Sequence, residues 1–101
     1  MRIEVIRSNK EFGTVIHFTN DNGITLSMGF GPHHYCEGRK GIKNPQNAEF
    51  AVWEKDGEMK FIKNDSVAGW ISLDHLGNLL NILSQDDTRA AYKIAEYLSS
   101  L

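Results

Sequence analysis

The chain has 101 residues, close to the usual size of one domain, and we expect residues 1–101 to form a single domain. Hydrophobic residues make up 41% of the chain and charged residues 24%, which is typical of folded proteins and excludes intrinsic disorder. The formal net charge of −2 gives no general attraction to nucleic acid or to an anionic membrane, and no apolar run approaches the roughly 20 residues of a membrane span. Since a single cysteine, Cys36, excludes an internal disulfide, we expect a cytoplasmic protein.

The first half of the chain has the period of β-strands. Between residues 24 and 30, apolar residues alternate with small or polar ones, so that one face of the strand is apolar. The preceding run, Asn20-Asp21-Asn22-Gly23, tolerates positive φ and predicts a tight hairpin turn. Two shorter alternating segments, 3–6 and 12–18, come before that turn. These patterns predict three antiparallel strands.

A second hairpin is predicted at Asp56-Gly57, between strands 48–54 and 59–63. In a type I′ turn at this pair, Lys55 faces Glu58 and Trp53 faces Lys60. The opposite charges beside the turn favour that register by a few tenths of a kcal/mol, roughly the scale of a cross-strand pair.

The last third of the chain changes to a helical period. Leucines at a 3-4-3 spacing follow Ser72, a suitable N-cap, and predict a helix over 73–84. A second apolar stripe behind Asp86-Asp87 predicts a helix over 87–100. Helices that follow a run of strands imply one helical layer on one sheet face. The predicted fold is therefore α+β, with an antiparallel sheet of about five strands (3–6, 12–18, 24–30, 48–54 and 59–63) and two C-terminal helices (73–84 and 87–100) packed on one face.

The segment from residue 31 to residue 47 is long for a loop in so small a domain, and long loops are often binding loops. It carries three basic residues and one acid, a local charge of +2, whereas the rest of the chain sums to −4. Its glycines allow backbone N–H groups to approach a ligand, and its aromatic and imidazole rings suit a flat ring that bears phosphate. Solvated cations or a protein contact are the competing interpretations. The predicted ligand-binding residues are Gly31, His33, His34, Tyr35, Gly38, Arg39, Lys40 and Lys43 in the loop, and Trp53 on the adjoining sheet face.

Two further chemistries are conceivable for the same loop. The sequence His33-His34-Tyr35-Cys36 invites a metal site, but no second short-spaced pair exists to complete one, and we predict no metal or cofactor. Cys36 beside an imidazole could be a nucleophile, or it could be a small buried residue where the chain leaves the sheet. Because no orienting acid or oxyanion hole is evident, we predict no catalytic residues.

The stretch from Ile24 to Cys36 resembles a pattern in small, largely uncharacterised bacteriophage proteins, in which an alternating strand runs into an aromatic residue, glycine, a short insert, and then Tyr with Ser or Cys. The downstream hairpin and the Val67-Ala68-Gly69-Trp70 entry into a helix are similar to that group as well. The resemblance carries over no activity. It implies a phage setting, in which small proteins of this kind often act against host defences.

Together these observations favour a non-enzymatic binding protein, encoded by a phage, that counters host defence by sequestering an anionic, nucleotide-derived signalling molecule. We expect it to act in the host cytoplasm and to form a homo-oligomer. The main alternative is an inhibitor that binds a protein of a bacterial defence complex, as anti-CRISPR proteins do. A Cys/His-dependent enzyme is the third interpretation.

Overall fold

The computed structural model describes residues 1–9, 13–31, 34, 36, 46–85 and 87–101. It has the predicted α+β class, with a five-stranded antiparallel sheet and two helices at the C-terminal end. A 3₁₀ turn, Leu73–His75, leads into the first helix. The elements in chain order are β1 (Arg2–Asn9), β2 (Gly13–Thr19), β3 (Thr25–Phe30), β4 (Asn47–Trp53), β5 (Ala68–Ser72), α1 (Leu76–Ser84) and α2 (Ala90–Ser99).

The five strands form one sheet in which neighbours in sequence are neighbours in space, in the order β1-β2-β3-β4-β5. Met28 of β3 pairs with Ile16 of β2 on one side and with Phe50 of β4 on the other. Leu26, two residues earlier, points to the same side of the sheet. Since paired residues share a face, the alternation predicted for residues 24–30 becomes one apolar surface across three strands.

The helices cover this apolar face. Leu79 and Leu83 of α1 and Ile94 and Leu98 of α2 are buried in one core with the sheet residues. Each pair is four residues apart, so both members lie on the same side of their helix. Full burial of an aliphatic side chain stabilises a fold by about 1.5–3 kcal/mol, which makes these contacts the main attraction between helices and sheet. The prediction of one helical layer on one sheet face is confirmed.

Asn20 ties the first hairpin to α1. Its side-chain oxygen accepts hydrogen bonds from the N–H groups of Asn22 (3.0 Å) and Ile24 (2.9 Å), which shapes the turn. Its amide nitrogen donates to the carbonyl of Leu83 at 3.0 Å, near the end of α1, and the side chain is buried. One residue of the predicted turn therefore satisfies backbone groups of both layers.

The helices begin close to the predicted positions. Ser72 accepts a hydrogen bond from the N–H of Asp74 at 3.2 Å and caps the 3₁₀ turn, as predicted. Asp87 accepts from the N–H of Arg89 at 2.8 Å, ahead of α2, which starts at Ala90 rather than at residue 87. The carboxylate of Asp87 also pairs with Lys93, and this hydrogen bond is the main reason that the pKa of Asp87 lies below its ordinary value.

Neither helix of the described residues has the length and apolar character that a membrane span requires.

The second hairpin differs from the prediction by one residue. Trp53 forms an isolated bridge with Met59 and does not face Lys60. The N–H of Gly57 donates to the carbonyl of Glu54 at 2.9 Å, and Gly57 has a φ of +88°. The loop is therefore a three-residue one that ends in a left-handed glycine, whereas a type I′ turn has two residues. An aspartate followed by glycine suits either turn, so this pair alone did not determine the register.

The fifth strand is Ala68–Ser72 and not the predicted 59–63, which forms isolated bridges in place of a ladder. Against β4, Ala48 pairs with Ile71 and Phe50 with Ala68, so β5 holds one extra residue between those pairs. Trp70 lies at this bulge with a φ of +58°, which is strained for a bulky side chain, and it is half-exposed.

At the other edge of the sheet, β1 runs from Arg2 to Asn9, beyond the predicted 3–6. Ile3 and Val5 pair with residues of the apolar face, yet each is 63% exposed because the helices do not reach this far. The register against β2 shifts between Val5 and Arg7, which places a bulge at Ile6. The apolar face thus continues past the helical layer onto an open edge strand.

Candidate functional site

The sheet face opposite the helices is built from polar and small side chains, and we call it the polar face. The register places Thr25 beside Trp53, Ser27 between His17 and Ala51, and Gly29 beside Glu49. The prediction that the polar side of β3 shares a face with Trp53 is therefore confirmed. The polar face includes Arg2, Glu4 and Arg7 of β1, Val15, His17 and Thr19 of β2, Thr25, Ser27 and Gly29 of β3, and Glu49, Ala51 and Trp53 of β4.

Three of the nine predicted ligand-binding residues, namely Gly31, His34 and Trp53, belong to the described part of the chain. Trp53 lies on this face, His34 packs over its Gly29, and Gly31 follows the end of β3. The other six lie outside the described residues: His33, Tyr35, Gly38, Arg39, Lys40 and Lys43. The three cations of the predicted basic cluster, Arg39, Lys40 and Lys43, are therefore known from the sequence alone.

His34 is buried on the polar face, directly over Gly29. A Cβ atom at Gly29 would lie 2.6 Å from Nδ1 and 2.7 Å from Cε1 of the imidazole, so the absence of a side chain at Gly29 makes room for the ring. Nδ1 of His34 lies 3.3 Å from Oε1 of Glu49, and Nε2 lies 3.2 Å from Nη2 of Arg7. We call this arrangement of Arg7, His34 and Glu49 the imidazole clasp.

Hydrogen-bond chemistry assigns the tautomer in the clasp. A guanidinium has donors and no acceptor, so Nε2 of His34 accepts from Arg7 and the ring proton lies on Nδ1, where it donates to Glu49. Both ring nitrogens are then engaged within the protein. His34 is a predicted ligand-binding residue, and a ligand contact through the edge of its ring would require one of these bonds to break. In this geometry His34 anchors the loop to the sheet.

The start of the loop is closed by Cys36. The thiol is buried, and its sulfur accepts from the N–H of Gly31 at 3.4 Å. Backbone bonds from His34 N–H to Gly31 O (3.1 Å) and from Cys36 N–H to His34 O (2.9 Å) complete the turn. Gly31 has a φ of +130°, and a Cβ atom there would lie 2.5 Å from Cα of Gly13, where β2 begins. These contacts favour the interpretation of Cys36 as a buried packing residue over that of a nucleophile.

Trp53 and His17 form a second ring cluster on the polar face. Their ring centroids are 5.0 Å apart at an interplanar angle of 81°, an edge-to-face contact. Partial burial lowers the pKa of His17 below its ordinary value, and the charge of Glu4 opposes that shift. Trp53 is half-buried. Trp53, a predicted ligand-binding residue, is therefore partly buried against His17.

The row of the polar face between the Gly29 row and the Thr25 row contains His17, Ser27 and Ala51. Ser27 and Ala51 are paired in the middle row, one row from Gly29 and one row from Thr25. Alternate residues of a strand are about 6.6 Å apart, so the His34 and Trp53 rows are separated by about 13 Å. Ser27 and Ala51 are small, whereas His17 in the same row contributes the imidazole that contacts Trp53.

Arg7 and Glu49 are functional candidates that sequence reasoning missed. They lie 27 and 15 residues from His34, and nothing local links them to it. One signal was available, since Gly29 interrupts the polar side of an otherwise regular strand, and a glycine at such a position often marks a close approach by another group. Among the described residues, no group of three or more His, Cys, Asp or Glu side chains could hold a metal ion.

Comparisons with models of protein families, with curated proteins and with solved structures give no match to this chain.

Proposed function

We propose that the chain is a non-enzymatic binding protein that sequesters an anionic small molecule with a planar ring, most plainly a nucleotide-derived signal, between residues 31–47 and the polar face. The observation that carries the proposal is the imidazole clasp. Because His34 is fixed over Gly29 by Arg7 and Glu49, the loop is attached to the same face that presents Trp53.

Charge and shape support this ligand class. The loop carries Arg39, Lys40 and Lys43 in a chain whose remaining charge is negative, so an anion is attracted to this segment over the rest of the surface. Guanidinium and ammonium groups bind phosphate through charge-assisted hydrogen bonds, and the exposed part of Trp53 offers a ring a stacking surface. In our proposal the cations hold the phosphate and Trp53 contacts the ring.

The biological role we propose follows from the resemblance to bacteriophage proteins. A phage protein that binds such a signal in the host cytoplasm would lower its free concentration and so blunt the defence that the signal activates. This role requires tight binding and no turnover.

Calorimetric titration with a panel of cyclic and linear nucleotides tests the proposal. We expect one class to bind, and we expect Arg39→Ala and Lys40→Ala each to weaken it by about 10- to 150-fold, since a hydrogen bond to a charged group contributes about 1.5–3 kcal/mol. Lys63→Ala is the matched control, because Lys63 is an exposed cation outside residues 31–47. It donates to the carbonyl of Leu101 at 2.7 Å. Absence of heat with every nucleotide, or equal affinity in all three variants, would contradict the proposal.

The alternative function, inhibition of a host defence protein, is favoured by a different surface. Phe61 is 70% exposed and Tyr92 of α2 is 54% exposed, and together they line a groove of about 370 Å³. Exposed aromatic residues beside a groove are typical of protein interfaces. The two functions are distinguished by Phe61→Ser, which would abolish co-purification of a host protein but would leave nucleotide binding unchanged.

A further inference from the structure

The sheet ends at β1 with an edge whose backbone groups have no neighbouring strand in the described part of the chain. Long, apolar edge strands are a liability that proteins usually shield, because they pair readily with another strand. Here Ile3 and Val5 are each 63% exposed, and Ile6 is 51% exposed. The regular part of this edge strand, before the register shift between Val5 and Arg7, carries Ile3 and Val5 and is suited to pairing.

The charged residues of β1 favour a second copy of β1 as the pairing partner. Arg2 and Glu4 lie on the polar face with side chains 70% and 48% exposed, and they contact each other along the strand. Two antiparallel copies of β1 related by a two-fold axis through Ile3 would place Arg2 of each copy opposite Glu4 of the other. Oppositely charged residues at directly paired positions stabilise a strand pair.

Other symmetric registers fit less well. An axis through Glu4 would set the two Glu4 carboxylates against each other, and like charges at paired positions destabilise a sheet. An axis through Val5 would pair residues across the bulge at Ile6, where the ladder is irregular. The register centred on Ile3 uses the regular part of the strand.

We infer that β1 is the edge along which two copies of this chain pair antiparallel, with Ile3 facing Ile3 and Arg2 facing Glu4 across the two-fold axis. The axis is perpendicular to the sheet, so the dimer has one continuous ten-stranded sheet. Both helical layers lie on one side of it. Both polar faces lie on the other side, and the inference does not depend on what they bind.

Charge reversal tests the pairing. Sedimentation analysis of a C-terminally tagged chain over micromolar to millimolar concentrations should give a monomer–dimer equilibrium. Arg2→Glu and Glu4→Arg should each raise the dissociation constant at least about tenfold, and the double variant should restore it. Lys63→Glu, a reversal of an exposed charge away from β1, should leave the dissociation constant unchanged. A monomer at every concentration, or a double variant as weak as the single ones, would overturn the inference.

Cysteine crosslinking tests the register. Residues directly opposite in an antiparallel pair have Cα atoms about 4.5–5.5 Å apart, within the range that a disulfide spans. Ile3→Cys should therefore form a covalent dimer under mild oxidation, whereas Glu4→Cys and Val5→Cys should not. The parent chain, whose Cys36 is buried, and Thr88→Cys, an exposed site away from β1, control for random collision. Crosslinking at residue 4 or 5 in preference to residue 3 would contradict the proposed register.

Discussion

Substitution of Gly29 by alanine tests the imidazole clasp, because the new methyl group would occupy the space that His34 fills. The Cβ atom of the alanine would lie 2.6 Å from Nδ1 of the imidazole, so the ring must move away from both Glu49 and Arg7. Hydrogen bonds to charged groups contribute about 1.5–3 kcal/mol each, and the long distances here favour the lower value. Alanine in place of glycine returns about 0.5–1 kcal/mol in a strand. We expect a net loss of about 2 kcal/mol.

Urea denaturation followed by circular dichroism would measure this loss. With an m value of about 1–3 kcal/mol per molar urea, the midpoint of Gly29→Ala should fall by roughly 1 M. Gly77→Ala is the matched control, since Gly77 lies in α1 with nothing within 4 Å of a Cβ atom. It should raise the free energy of unfolding by about 1 kcal/mol.

A double-mutant cycle gives the sharper result. His34→Ala alone should destabilise the chain, because it removes the clasp and leaves Arg7 and Glu49 without the ring between them. Once the ring is gone, the three atoms nearest to the new Cβ are removed, and Gly29→Ala should become neutral or slightly stabilising. Additive effects of the two substitutions, or a stabilising Gly29→Ala with His34 present, would refute the reasoning.

Three further substitutions test other parts of the fold. Asn20→Ala should lower the free energy of unfolding by about 2–4 kcal/mol in urea denaturation, because the carbonyl of Leu83 and the N–H of Ile24 lose their partner in a buried site; a loss below about 1 kcal/mol would contradict this. Gly57→Ala should lower the free energy of unfolding by about 1–2 kcal/mol in the same assay, because φ is +88° at this position although nothing lies within 4 Å of a Cβ atom. Unchanged stability would show that the turn rearranges freely. Because the pKa of His17 is lowered in the folded state, the contribution of His17 to stability should be complete above pH 6.5 and lost as the pH falls from 6.5 through the folded pKa. The melting temperature of His17→Gln should therefore depend less on pH across that window than that of the parent chain. An equal dependence would argue against a buried imidazole.

The parts of the fold that follow from local pattern were predictable. Residues 24–30 alternate apolar residues with small or polar ones, and β3 became the centre of the sheet with the predicted face inward. The stripes of 73–84 and 87–100 likewise gave two helices on one face. A period of two or of 3.6 residues can be recognised from residues close together in the sequence, and it defines which side of the strand or helix becomes buried.

What the sequence did not predict depends on contacts between distant residues. The strand Ala68–Ser72 is short and bulged, with Trp70 at positive φ, so it has no alternation to detect. The clasp joins Arg7, His34 and Glu49 from three separate segments, and only the sheet register brings them together. The pattern of loop cations could be found by counting charges, whereas the anchor of that loop could not.

Because the thiol of Cys36 is buried, its alkylation can be used to measure local opening of the protein. A thiol with 0% exposure reacts with an alkylating reagent only after the turn from Gly31 has come apart, so the labelling rate at neutral pH measures how often this one segment separates from the sheet. Compared with amide exchange in β3, that rate separates detachment of the loop from unfolding of the whole chain, without any introduced probe.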